Sequence, residues 1–119
     1  MVSERTLGIG ELSRLTGASV RSLRHYEARG VLAADRTATG RRRFRPEDVE
    51  TVRRIRLLLE AGLPLAIIEK MLPCFHDAGA TLGACVQEYL SEHRRAVRER
   101  LVELEAQEST LRRLESLLV

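Results

Sequence analysis

Aromatic residues are scarce in this 119-residue chain: they make up 3% of it, and tryptophan is absent. Ligand pockets are lined largely by aromatic and other apolar side chains, so this composition argues against a large aromatic-lined pocket. The sequence also has no Ser-His-Asp set, no HExxH motif, no P-loop and no GxGxxG motif. We therefore expect a protein that is not an enzyme, with no catalytic residues, no cofactor and no dedicated metal site.

Long hydrophobic runs are missing as well. No apolar stretch approaches the roughly 20 residues that a membrane helix needs. The first five residues, MVSER, carry no signal-peptide core. We expect a cytoplasmic protein with no membrane partner. The chain has two cysteines, and in a reducing compartment we expect them to be thiols rather than a structural disulfide.

Positive charge is unevenly distributed along the chain. Residues 1–58 hold 13 Lys and Arg against 7 Asp and Glu, whereas residues 59–119 hold 7 against 10. Lys70 is the sole lysine; this bias towards arginine suits bidentate phosphate contacts and equally reflects GC-rich coding. A basic first half indicates that only this end of the molecule meets a polyanion.

Two short helices separated by a tight turn are predicted near the N-terminus. Ile9, Leu12 and Leu15 are three residues apart and fall on one face of the first helix. Gly17 permits the turn, because glycine adopts backbone angles that other residues avoid. Ser19 is placed to cap the second helix by accepting a backbone N–H bond. This is the spacing of a helix-turn-helix.

The second of these helices has an apolar side and a donor-rich side. Val20 and Leu23 lie close together at about 100° per residue. Arg21, Ser22 and His25 cluster on the opposite side. A helix of this kind fits the major groove of DNA, where arginine bonds a guanine edge or a phosphate.

The next segment predicts a wing and a pair of helices. Residues 35–40 carry turn chemistry without apolar periodicity. The run 41–45, RRRFR, is interpreted as the return strand of a two-stranded wing, with Phe44 as its anchor in the core. Pro46 opens the following helix, since its missing N–H would be unsatisfied there anyway. A further short helix is predicted over residues 65–72.

Beyond a predicted loop at residues 73–81, a single long helix is expected from about Leu82 to Leu118. Its apolar or near-apolar residues recur mostly three and four apart, with one stutter. They are Val86, Leu90, His93, Val97, Leu101, Leu104, Leu111, Leu114 and Leu118. A helix of about 37 residues runs about 55 Å, too far for a small domain to cover. We expect the stripe to be buried by a second copy in a homodimer.

Several motifs together resemble the MerR family of bacterial transcription regulators, in a short form without a separate effector-binding domain. The motifs are Ile9-Gly10-Glu11-Leu12, the run TGASVRSLRHYE from Thr16 to Glu27, Gly30-Val31-Leu32, Gly40-Arg41-Arg42 and Glu60-Ala61-Gly62. The resemblance implies a mainly α fold with three parts. They are a winged helix-turn-helix DNA-binding domain over residues 1–72 that includes a helix pair, the loop 73–81, and a coiled-coil dimerisation helix over residues 82–119.

The resemblance also implies which residues face DNA. The expected set is Ser19, Arg21, Ser22, Arg24, His25 and Tyr26 on and before the recognition helix, Arg41 and Arg42 in the wing, and Arg56 on the third helix, which reaches phosphate. Two positions depart from the family pattern, because His25 and Arg41 stand where an aromatic residue is usual. We expect the first to alter base preference, and the second to add a phosphate contact at the expense of wing packing.

The implied mechanism is regulation through DNA shape. A dimer sits on a promoter whose −35 and −10 elements are too far apart, and an effector makes it bend and untwist the spacer so that RNA polymerase engages both. The partners are double-stranded promoter DNA, a second copy of the chain and, indirectly, polymerase. Two alternatives remain open: a coiled-coil interaction module that contacts protein, and a constitutive architectural DNA binder without an effector.

The cysteines allow three interpretations. Cys74 lies in the predicted loop and Cys85 begins the long helix, where a helix start lowers thiol pKa and favours a sensor of redox state or electrophiles. Thiolates together with His76 suit Zn(II) or Cu(I), so a metal signal is the second interpretation. The third is plain packing of small buried side chains.

Overall fold

The computed structural model describes residues 6–76 and 81–119. They divide between Gly83 and Ala84 into two compact units, which are described separately below. Part of the predicted loop, residues 77–80, lies outside the described residues.

In its described residues, the first unit contains four α-helices and two small sheets. Its helices are α1 (Ile9–Thr16), α2 (Val20–Ala28), α3 (Asp48–Glu60) and α4 (Leu65–Met71). Strands β1 (Asp35–Arg36) and β2 (Arg42–Arg43) pair antiparallel between α2 and α3, with Asp35 opposite Arg43 and Arg36 opposite Arg42. The predicted helix-turn-helix, two-stranded wing and helix pair are therefore confirmed.

One apolar core holds these elements together. Its fully buried side chains come from all four helices and from the wing. They are Leu12, Leu23, Phe44, Val52, Ile55, Ile68 and Met71. Leu7 and Phe44 exchange backbone hydrogen bonds of 2.7 and 2.8 Å, which tie the segment before α1 to the end of the wing. Phe44 thus anchors the wing, as the sequence predicts.

The buried face of α1 differs from the prediction. Leu12 is fully buried, but Leu15 is 49% exposed. The face continues instead through Thr16, four residues after Leu12, whose hydroxyl donates to the Leu12 carbonyl at 2.8 Å and accepts the Ala18 N–H at 3.2 Å. Because the threonine satisfies both groups locally, it takes the inward position that the apolar pattern gave to Leu15.

The α3 helix begins two residues after Pro46, at Asp48. The Asp48 carboxylate accepts the Arg45 backbone N–H at 2.7 Å, so it closes the turn before the helix. Burial raises the pKa of Asp48 above its usual value, and the contacts with Arg45 oppose that shift. This side chain therefore links the end of the wing to the start of α3.

A second hairpin replaces much of the predicted loop. After a 3-10 turn at Leu72–Cys74, strand β3 (Phe75–His76) pairs antiparallel with β4 (Thr81–Leu82). The Gly83 N–H donates to the Cys74 carbonyl at 2.7 Å. A side chain on Gly83 would place its Cβ 2.9 Å from the His76 Nε2, so a larger residue there would displace the imidazole.

The second unit consists of a 3-10 turn at Ala84–Val86 followed by α5 (Gln87–Ser116). The helix begins five residues later than the predicted Leu82, because Leu82 lies in β4. Within the described part of the chain, no helix is both long and apolar enough to cross a membrane.

Candidate nucleic-acid interface

The α2 helix is fixed at its start by a serine pair. The Ser19 hydroxyl oxygen accepts the Ser22 backbone N–H at 3.0 Å, and the two hydroxyls are also 3.0 Å apart. Capping of this kind satisfies one of the N–H groups that a helix start leaves open. Both predicted interface residues are therefore occupied in starting the helix, and Ser19 is still exposed.

Opposite faces of α2 have different surroundings. Leu23 and Tyr26 are buried in the core, whereas Arg21, Arg24 and His25 are exposed. Among the residues that the structure describes, no ion pair involves Arg21 or Arg24. The outward face therefore offers guanidinium and imidazole groups for hydrogen bonding to a partner.

Tyr26 does not belong to that outward face. Its side chain is 5% exposed, so it is mainly a core residue. Burial of the ring is compatible with the predicted DNA contact through the hydroxyl, and that contact stays a prediction. Its position follows from helix geometry, since Leu23 and Tyr26 are three residues apart and share a face.

The turn between α1 and α2 is closed by two arginines of α3. Gly17 has φ +77°, the left-handed conformation in which glycine is favoured. The Nη1 of Arg56 donates to the Thr16 carbonyl at the end of α1, and the Nη2 of Arg53 lies 3.4 Å from the Leu15 carbonyl. Cations at this end of a helix are favourable because its carbonyls lack partners.

This arrangement changes the interpretation of Arg56. The sequence assigns it to DNA phosphate, whereas in the structure part of its guanidinium already binds the backbone of α1. Because that bond orients the guanidinium, it also sets the direction in which the remaining N–H groups of Arg56 point. A Cβ on Gly17 would lie 2.6 Å from the Arg56 Nη1, so the turn and the arginine are matched in shape. Sequence reasoning missed Arg53, whose only signal is its position three residues before Arg56.

The wing arginines are held in different ways. Arg41 is exposed at the wing turn, while Arg43 donates to both the hydroxyl and the carbonyl of Thr6 at 2.9 and 2.8 Å. Arg42 forms a 2.6 Å ion pair with Glu27 of α2. Sequence reasoning predicts both Arg41 and Arg42 as DNA contacts, and the structure gives the two side chains different surroundings.

A basic cleft of about 330 Å³ lies between the start of α1 and the wing. It is lined by Gly8, Ile9, Gly10, Arg36, Gly40, Arg41, Arg42 and Arg43. Gly8 is the residue before α1 and supplies no side-chain cap to the helix. The start of a helix beside several guanidiniums suits a phosphate oxygen, so the cleft extends the cationic surface of the wing.

The cysteines differ from the prediction. Both cysteines are disulfide-bonded. The expectation of free thiols is therefore wrong. Over the ranges 6–76 and 81–119, no group of three or more His, Cys, Asp and Glu side chains is gathered that could hold a metal.

Comparison with known proteins identifies two matching family models. The model described as MerR HTH family regulatory protein matches residues 7–73, and the one described as MerR, DNA binding, matches residues 49–114. Nodulation protein NolA of Bradyrhizobium elkanii is 48% identical over 65 residues, which are 54% of this chain and 30% of NolA. The chain therefore spans less than a third of that relative.

Solved structures share the fold. The N-terminus of MtaN, the Bacillus subtilis multidrug transporter activator, superposes with a TM-score of 0.71 at 21% identity, covering 91% of this chain and 96% of that one. HiNmlR, described as a MerR family regulator lacking the sensor domain and bound to promoter DNA, gives a TM-score of 0.57 at 20% identity over 94% of this chain and 89% of its own.

Proposed function

Because the chain belongs to the MerR family and is a transcriptional regulator with a DNA-binding domain, we propose that it acts as a homodimer that deforms promoter DNA under redox control. The observation that carries the DNA-binding part is the outward face of α2. Arg21, Arg24 and His25 are exposed there, while Leu23 and Tyr26 fix the helix in the core. The protein then reads the major groove with α2 and the flanking backbone with the wing.

Dimerisation is supported by α5. None of its 30 residues is buried in the single chain. Its apolar stripe is about half exposed: Val97 50%, Leu101 53%, Leu104 53%, Leu111 58% and Leu114 55%. A regular apolar stripe along a long helix is the pattern of a coiled coil, which a second copy of the same helix completes.

Deformation of a promoter spacer is expected if two such DNA-binding units are joined in a dimer. A dimer reads two half-sites of one duplex, and where their spacing does not match the two recognition helices, binding requires the DNA to change its twist and bend. HiNmlR, of similar fold, was solved bound to promoter DNA. RNA polymerase is then an indirect partner through the promoter, and the cytoplasm is the compartment that we propose.

Binding to DNA is tested with the region upstream of the coding sequence. We expect DNase protection over two neighbouring half-sites at low salt, and an affinity that falls steeply as salt rises because each phosphate contact releases counterions. A random-sequence duplex serves as the control and should bind more weakly. If neither duplex binds at about 50 mM salt, where electrostatic binding is strong, the protein is an interaction module instead.

Redox control is supported by the disulfide. In a reducing compartment such bonds are mostly transient and signalling rather than structural. Phe75 adjoins Cys74, and the Arg54 guanidinium of α3 lies 5.4 Å from the centre of its ring. A change in the position of Cys74 would therefore be transmitted to α3 through the contact between Phe75 and Arg54. Reduction breaks the S–S bond and adds two electrons and two protons, which a dithiol supplies.

We expect the bend in bound DNA to differ between the oxidised protein and protein treated with dithiothreitol, with affinity changing by up to about tenfold, a common size for coupled equilibria. Gel mobility of circularly permuted fragments measures the bend. A variant with Cys74→Ser and Cys85→Ser is the control, and dithiothreitol should leave its bend unchanged. Equal bends for both states of the wild type would instead indicate a constitutive architectural binder.

A further inference from the structure

Glu27 lies near the end of the recognition helix, between two arginines of the wing. Its Oε1 is 2.6 Å from the Arg42 Nε, and its Oε2 is 3.9 Å from the Arg36 Nη2. Arg36 and Arg42 are cross-strand partners, one on each strand of the wing. A single carboxylate therefore contacts both strands of the wing from the helix that is proposed to enter the groove.

The shorter of these contacts is shielded from water. The Glu27 side chain is 19% exposed, and its Oε1 and the Arg42 Nε are both buried atoms. Within the described ranges neither atom has a well-aligned hydrogen-bond partner, so each depends on the other for charge compensation. Removing one member of such a pair leaves the buried atom of the other without its counterion, which is unfavourable, although the Arg42 side chain as a whole is 35% exposed.

We propose that Glu27 is a positioning residue that fixes the wing relative to the recognition helix, and that Arg42 serves this clamp rather than binding phosphate. The proposal rests on DNA binding by the first unit. Exposed Arg41, one residue earlier, then supplies the phosphate contact of the wing. Specific DNA requires helix and wing to fit one duplex at the same time, whereas non-specific binding needs only positive charge.

This role predicts an effect opposite to simple electrostatics. An anion near DNA repels phosphate, so its removal would strengthen binding to every duplex if Glu27 had no other role. If Glu27 is the clamp, its removal loosens the wing and weakens specific binding while leaving non-specific binding intact. Whether removal of Glu27 raises or lowers the affinity for specific DNA therefore distinguishes the two roles.

The experiment uses Glu27→Gln in the full chain and two duplexes: one selected by the wild-type protein from a randomised pool, and a scrambled version of it. We expect about tenfold weaker binding to the selected duplex, a coupling within the range of close charge pairs. The scrambled duplex should bind equally or up to about threefold tighter, since one negative charge is gone. Tighter binding to both duplexes overturns the proposal.

The salt dependence of binding tests Arg42 separately. Arg41→Gln should reduce the slope of log affinity against log salt by about 1 for each subunit bound, because it removes a phosphate contact. Arg42→Gln should leave the slope unchanged. The double variant Glu27→Gln/Arg42→Gln should bind the selected duplex no more weakly than Glu27→Gln alone, since the two residues act as one pair. Equal slopes for the two arginine variants contradict the clamp.

Two controls keep the outcomes distinct. Thermal unfolding by circular dichroism shows whether Glu27→Gln folds, and if it does not, the comparison of salt slopes between Arg41→Gln and Arg42→Gln decides the question alone. Glu27→Asp keeps the charge and should recover part of the selected-duplex affinity. Failure of the wild-type protein to bind either duplex would instead contradict the proposed DNA-binding function.

Discussion

Replacing Leu104 and Leu111 by arginine makes the protein monomeric at micromolar concentration and lowers its affinity for promoter DNA by at least about 100-fold. Both leucines are more than half exposed in the single chain. Burying a leucine is worth about 1.5–3 kcal/mol, and a dimer loses four of them while gaining four like charges. A monomer also lacks the second DNA-binding unit, which in a dimer is held at high effective concentration near the DNA and so raises the affinity. Sedimentation equilibrium and gel shifts measure the two effects.

A charge-matched control is available on the same helix. Ala106 and Ser109 are exposed and lie roughly 140–200° around α5 from Leu104, taking about 100° per residue. The variant with arginine at both of these positions should remain a dimer and bind DNA like the wild type. If Leu104→Arg/Leu111→Arg still sediments as a dimer, the stripe is not the interface.

Most of the first unit could be predicted because its signals are local. Apolar spacing located α2, α3 and α4, and Phe44 stood out as the one aromatic residue in an arginine-rich run. The error at Leu15 has an equally local cause. A pattern of apolar residues does not predict that a threonine is buried. The Thr16 hydroxyl is nevertheless buried at little cost, because it forms hydrogen bonds with backbone groups nearby.

The partners of the arginines were beyond sequence reasoning. Thr16 precedes Arg56 by 40 residues, and Glu27 precedes Arg42 by 15, so each contact exists only once the chain has folded. A run of arginines looks the same in sequence whether its members face water, a carboxylate or a carbonyl. The sequence therefore predicted an arginine-rich surface, but it could not separate the arginines that bind other parts of the chain from those that are exposed.

The disulfide was missed for a similar reason. Two-residue strands such as β3 and β4 are too short to give a readable alternation, so their segment looked like a loop. Only the hairpin brings the chain back near Cys74, at Gly83. The assumption of a reducing compartment then favoured free thiols. In such a compartment a disulfide is more often a regulatory bond than a structural one, which is why we propose a redox signal.

Arg21→Ala is the second substitution with a large expected effect. Arg21 is exposed in the first turn of α2, the part of a recognition helix that contacts base edges. A bidentate arginine–guanine contact is worth about 1–3 kcal/mol, and a homodimer loses two of them. We therefore expect about 100-fold or weaker binding to the selected duplex in competition titrations, with a much smaller change for the scrambled duplex.

Arg29→Ala provides the matched control, because it removes the same side chain from the other end of α2. Arg29 lies 3.7 Å from Glu69, and both side chains are substantially exposed, so the pair contributes little to stability. Its loss should change affinity for either duplex by less than about threefold, as expected for an exposed ion pair. An equal loss on the selected and scrambled duplexes for Arg21→Ala would place this arginine on phosphate. Base readout would then fall to Arg24 and His25, the other exposed residues of that face.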